Sequence, residues 1–285
     1  MLPLKAVLIL IIVLGHFVYY SEHPVFSLFH ELGTSAVALF FFVSGFGCVR
    51  SWQKKGQSYL RGFFKSRILG IILPAVIFFV LHSIWRRGFT IPPQYWFLWV
   101  ILFDYLIFWC CYRFLAPAWR LPVLLIGCLL FMAATIFAGF DRCWWICGLS
   151  FPTGCLFANI EGTLARSCAD KPFRFIAWLM AGVLLFAGAY LTREPLIWPL
   201  CYVGIPWTLA LLVSVIPLDS LRLPVLGFLG SISYEMYLSH VTVLEVLHQV
   251  KAISARTFVF VLAVLALTVA ISFAVHWLYS LALRK

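Results

Sequence analysis

The chain has 285 residues, 64% hydrophobic and only 11% charged, and its mean hydropathy is +1.03. A soluble domain keeps roughly a quarter of its residues charged to face water, so a soluble fold is excluded. The formal net charge of +11 needs no nucleic-acid partner, because Lys and Arg collect in loops retained on the cytoplasmic side during insertion.

Apolar runs recur down the whole chain, each long enough to cross the hydrocarbon core as a helix. Short strands of alternating polarity, the mark of a membrane barrel, are missing. Breaking the sequence at charged, Pro and Gly clusters predicts ten transmembrane helices. They cover residues 4–20, 33–49, 68–84, 95–112, 121–139, 143–159, 174–191, 196–216, 225–247 and 257–281. The expected architecture is therefore an all-α membrane bundle, a single domain over 1–285 with no soluble domain. Placing the N-terminus inside puts fifteen of the 21 Lys and Arg residues in the cytoplasm, with only Arg86, Arg87, Arg142, Arg193, Lys251 and Arg256 outside. With an even number of spans the C-terminus is cytoplasmic too.

The first span begins like a secretory signal, with Lys5 ahead of an apolar run. No small-residue cleavage site follows, and a histidine interrupts the run, so it reads as a retained helix. Ionisable groups inside a span cost about 2.5–3.5 kcal/mol on insertion scales, and His16 is one of them. It follows Lys5 by eleven residues, which is about three turns plus 20°, so both share one helix face. A rise of about 16 Å separates a cation at the cytoplasmic mouth from an imidazole midway through the membrane. A histidine hydrogen-bonded to a neighbouring helix fits the same spacing.

The second span contains Phe40-Phe41-Phe42-Val43-Ser44-Gly45-Phe46-Gly47, whose small residues permit close helix packing. The following loop, 50–67, carries six cations and no acid. Lys65 and Arg67 close it where the third helix begins, suited to a phosphorylated ligand or to anionic headgroups. Asp104 sits deep in the fourth span as a partner for a histidine, a substrate contact or a proton relay. In the ninth span, Ser233, Tyr237 and His240 fall at i, i+4 and i+7 and share a stripe, which suits a wet cavity or a polar network between helices. Glu235 is also intramembrane, whereas Glu245 and His276 lie near span ends. The nine cysteines are scattered and complete no zinc site, so no metal is expected.

Taken in order, these segments resemble the acyltransferase-3 family, bacterial membrane proteins that O-acylate cell-surface carbohydrates. Lys5 to His16 is similar to that family's basic-x10-His opening, and FFFVSGF at 40–46 to its second helix. Lys65 to Pro74 resembles its basic third-helix start, Trp96-Phe97-Leu98 its WFL element, and Leu229 to His240 its late G-x-I-S-Y-x-x-Y-L-x-H element. The chain departs from the pattern at Lys5, where arginine is frequent, at Leu2, where many members carry aspartate, and at Gly70, where a second cation is expected.

The resemblance implies transfer of an acyl group, usually acetyl, from cytoplasmic acetyl-CoA or another acyl-CoA to a hydroxyl of a carbohydrate or glycolipid acceptor. It places the protein among the lipids of a bacterial cytoplasmic membrane. Lys5, Lys65 and Arg67 are then the donor-binding residues and His16 the catalytic base. Ser44, Asp104, Ser233, Tyr237 and His240 become supporting or acceptor-binding candidates. The alternative class is a transporter or flippase for a lipid-linked sugar, since polar intramembrane residues also line substrate pathways.

Overall fold

The computed structural model describes residues 2–21, 23–169, 171–192, 194–215, 223–250 and 258–283. Almost all of them are helical and none is in a strand. Arg193, Arg222, Lys251, Arg256, Arg284 and Lys285, which enter the loop-charge count, lie outside the described residues.

Among the described residues seven segments are long and apolar enough to cross a membrane: Leu2–Tyr19, Pro24–Lys55, Phe63–Arg86, Pro93–Phe114, Pro117–Phe137, Phe173–Thr192 and Phe258–Leu281. They coincide with seven of the ten expected spans. The other three expected spans are helical but differ in physical character. Ser150–Ala169 carries Glu161 and Arg166, and Cys201–Val215 has only 15 residues. The stretch at 225–247 is broken in two at Ile232, whose backbone sits at φ −106, ψ 12. The break follows from the local serines: Ser231 Oγ donates to Phe228 O at 2.6 Å and Ser233 Oγ to Gly230 O at 3.0 Å. Such back-bonding competes with the helical ladder.

The chain clusters into two compact units, one of residues 1–36, 64–95 and 223–285, the other of 37–63 and 96–222. The first contains α1 (Leu2–Gly15), the start of α2 (Pro24–Lys55), α5 (Leu73–Arg86), α11 (Pro224–Ser231), α12 (Ser233–Val250) and α13 (Phe258–Leu283). Between α4 (Phe63–Arg67) and α5 lies a π-helical turn, Ile68–Ile72. Pro74 explains it, because a proline inside a helix supplies no N–H and crowds the carbonyl four residues back. The wider turn absorbs the mismatch. The Tyr234 hydroxyl caps this region by donating to Ile71 O at 3.0 Å. In the same unit α1 buries Ala6, Leu8, Ile9, Ile12 and Val13, and Gly230 lets α11 touch its start. A Cβ at Gly230 would stand 1.9 Å from Leu2 O.

The second unit holds the rest of α2, α3 (Gln57–Arg61), α6 (Trp96–Phe114), α7 (Pro117–Phe137), α8 (Ser150–Ala169), α9 (Pro172–Thr192) and α10 (Cys201–Val215). Here α2 and α8 cross backbone to backbone. A Cβ on Gly45 would meet Phe151 O at 2.2 Å, and one on Gly154 would meet Phe42 O at 2.0 Å. Small residues drive helix association in lipid by allowing this approach. Large apolar side chains stay exposed on the outer faces of α7, α9 and α13, Leu130, Leu184 and Leu278 among them, as a lipid-facing surface requires. The protein is an integral membrane protein.

Replacing Gly154 with valine is expected to force α2 and α8 apart and lower stability by about 1–3 kcal/mol, the usual range for an overpacked core. Thermal unfolding of the detergent-solubilised protein measures this, with Gly188→Val, whose added Cβ meets nothing within 4 Å, as the neutral control.

Candidate active site

Helix α1 carries Lys5 through to Gly15, and His16 opens a single 3-10 turn, His16–Tyr19. The imidazole therefore lies in the last part of the Leu2–Tyr19 span. The helix ends there and Tyr20 already leaves the turn. His16 Nδ1 is 2.8 Å from Ile12 O. A carbonyl only accepts, so Nδ1 carries the proton and Nε2 keeps its lone pair in the neutral ring.

His240, on α12, stands directly against it. The two ring centroids are 4.7 Å apart with planes at 75°, an edge-to-face contact. His240 is pinned in the same way, its Nδ1 2.8 Å from Tyr237 O and 3.1 Å from Met236 O. It has no exposed surface, and its Nε2 has no hydrogen-bond partner among the described residues. The packing of α12 beside α1 puts the two rings side by side.

The rest of the α12 stripe makes hydrogen bonds within α12 and to its neighbours. The Tyr237 hydroxyl donates to Gln94 O at 3.0 Å, and Gln94 Nε2 donates back to Leu238 O at 3.0 Å. Ser233 Oγ is spent on Gly230 O. Ser239 Oγ lies 3.0 Å from Ser272 Oγ and ties α12 to α13. Gln94 was invisible to sequence reasoning. A lone amide in a Pro-rich connection gives no signal before α12 is seen to lie beside it.

Toward the other end of α1, Lys5 is half-buried and shares its electrostatic surroundings with Arg67 and Glu235. Lys5 and Arg67 thus lie within electrostatic range of each other. Lys65 is exposed on α4. Glu235, 2% exposed, is held from α13. The Tyr279 hydroxyl donates to Glu235 Oε1, His276 Nδ1 is 2.7 Å from the same oxygen, and the two donors are 2.9 Å apart. Sequence had marked Glu235 and His276 separately. Their pairing across 41 residues follows no local periodicity.

Ser44 and Asp104 belong to the second unit. Ser44 is half-buried beside the Gly45 crossing. Asp104, 2% exposed, accepts from the Cys128 thiol at 3.6 Å, and its Oδ2 has no partner among the described residues. It does not partner a described histidine. Among the described residues no three His, Cys, Asp or Glu side chains gather closely enough to hold a metal ion.

A family model described as an acyltransferase domain matches residues 4–277, which takes in Lys5, both pinned histidines and Glu235. The chain belongs to the acyltransferase-3 family. No curated protein and no solved structure matches it. Its membership makes the chain a membrane acyltransferase.

Tyr279→Phe in this acyltransferase removes one of the two donors to a buried carboxylate. The expected loss is about 1–3 kcal/mol of stability, read as a lowered unfolding temperature in detergent. An unchanged unfolding temperature would mean that Glu235 does not depend on this hydroxyl.

Proposed function

We propose that this acyltransferase moves an acyl group, acetyl in the first instance, from a cytoplasmic acyl-CoA to a hydroxyl of a cell-surface or lipid-linked carbohydrate. Its setting is the bacterial cytoplasmic membrane. Ten spans, the three further helical stretches included, keep both termini inside. The observation that carries the reading is His16, whose Nδ1 is held by Ile12 O on the same first helix that carries Lys5.

Lys5 and Arg67 attract the phosphates of the donor, since charge-assisted hydrogen bonds to phosphate are the strong ones. Lys65 adds an exposed cation along the approach. The thioester end of the donor then reaches along α1 toward His16, a rise of about 16 Å from Lys5 at helical spacing. His16 Nε2 takes the proton of the acceptor hydroxyl. The oxygen attacks the thioester carbonyl, the C–S bond breaks, and the imidazolium returns its proton to the departing thiolate. Each proton taken is given back, so His16 ends as it began.

His16→Ala and His16→Gln are expected to insert and accumulate normally, because removing a basic group from a span favours insertion. Both should lose acyl transfer by about 10²–10⁴-fold, the usual worth of a general base. Purified protein, radiolabelled acetyl-CoA and candidate glycans measure this. An active His16→Gln, which keeps a hydrogen-bonding amide but takes no proton at neutral pH, contradicts the assignment.

Lys5→Gln and Arg67→Gln should raise the apparent KM for acetyl-CoA far more than that for the acceptor. Gly70→Arg should lower it, because a Cβ there meets nothing within 4 Å and the added guanidinium sits one turn beyond Arg67. Unchanged donor dependence in both glutamine variants removes these residues from the donor site. Reporter fusions should place loop 50–67 and the C-terminus in the cytoplasm. An external loop 50–67 would reverse the donor side.

A further inference from the structure

His240 has no task in the step just described. One base suffices to take one proton, yet a second imidazole is built against the first at 4.7 Å. Both rings are fixed in the same way, with Nδ1 donating to a backbone carbonyl of the ring's own helix. Nε2, the ring's other nitrogen, is not used by these bonds and keeps its lone pair while Nδ1 carries the proton. Two acceptor nitrogens are therefore offered from α1 and α12, and neither can donate to the other in the neutral state.

A fully buried acceptor is normally satisfied. His240 Nε2 is not, among the described residues. Tyr237, one turn before it, cannot serve, because its hydroxyl is committed to Gln94 O. Ser239, next to it in sequence, has its hydroxyl turned to Ser272. A hydroxyl brought in by a ligand would complete the arrangement. A single hydroxyl has one proton and cannot serve both rings. Two neighbouring hydroxyls can, since vicinal oxygens on a sugar ring are about one hydrogen-bond length apart, roughly 3 Å.

We infer that His16 and His240 together recognise an adjacent pair of hydroxyls on the acceptor, one to be acylated through His16 and its neighbour donating to His240 Nε2. This rests on the acyl-transfer reading above and narrows its acceptor to a vicinal diol. His240 touches the substrate beside the reacting atom and takes no proton, so the balance of the reaction is unaltered. Its contribution is the orientation of the attacking oxygen and rejection of acceptors that lack the second hydroxyl. A site built around a hydroxyl discriminates strongly against the analogue without it, because its own polar group is then left unpaired.

The experiment compares methyl glycosides of common hexoses with monodeoxy analogues lacking one hydroxyl next to the acylated position. Each is assayed with radiolabelled acetyl-CoA and the full chain in nanodiscs. The wild-type protein should favour the diol over its deoxy analogue by about tenfold or more in kcat/KM, as expected for one lost hydrogen bond to a buried group. His240→Ala should lower kcat/KM for the diol and collapse the ratio toward one. His240→Gln, whose amide oxygen still accepts a hydroxyl, should restore part of the ratio. Loss of activity by both variants in equal proportion on diol and deoxy acceptors would show that His240 only packs against His16, and would overturn the inference. A wild-type ratio near one would overturn it as well. A wild-type protein that acylates none of the glycosides counts instead against the acyl-transfer reading on which the inference stands.

Discussion

A polar group in hydrocarbon finds its partner within the protein or costs several kcal/mol. In this chain that constraint is met twice in the same way, by a helix carbonyl taking the Nδ1 proton of a histidine on its own helix: Ile12 O for His16, Tyr237 O and Met236 O for His240. The bond secures the ring orientation and leaves the reactive nitrogen unspent. The chemistry assigned to this acyltransferase depends on that division of labour between the two nitrogens of one ring.

Around the pair, polar side chains are used chiefly to hold helices together. Tyr237 and Gln94 exchange hydrogen bonds with each other's backbone neighbourhood, Tyr234 reaches the π turn, and Ser239 meets Ser272. Such contacts are worth less in membranes than a simple desolvation argument suggests, averaging about 0.6 kcal/mol in one well-studied bundle. Their value here lies in fixing α12 against its neighbours, so that the His240 ring has one place to be. At the other end of α12, Glu235 plays a complementary part. It is bound by Tyr279 and His276 on α13 while lying in the same electrostatic neighbourhood as Lys5.

Much of this was legible in the sequence because it is local. Hydropathy alone gives the membrane class and ten spans, seven of which coincide with helices of spanning length among the described residues. The Lys5-to-His16 spacing and the late motif ending at His240 mark the two histidines. What local pattern does not encode is which residues meet. His16 and His240 are 224 positions apart, and only the packing of α1 beside α12 brings their rings together. The same holds for Glu235 with His276 and Tyr279, and for Gln94 with Tyr237. Periodicity also misses changes within a span. The first span runs to Tyr19 as predicted but ends in a 3-10 turn from His16, whereas 225–247, read as one helix, is broken at Ile232 where Ser231 and Ser233 divert backbone bonding. Of the two roles open to Ser233 and Tyr237, a wet cavity or a polar network, their bonds to Gly230 O and Gln94 O match the network.

The most direct test of this account is nitrogen NMR of the protein in lipid bilayers, with ring-labelled histidine and His16→Gln and His240→Gln used for assignment. The account predicts that at neutral pH both rings show a protonated, pyrrole-type Nδ1 and an unprotonated, pyridine-type Nε2. Finding the proton on Nε2 of His16 would contradict it, because the nitrogen assigned to receive the acceptor's proton would already carry one.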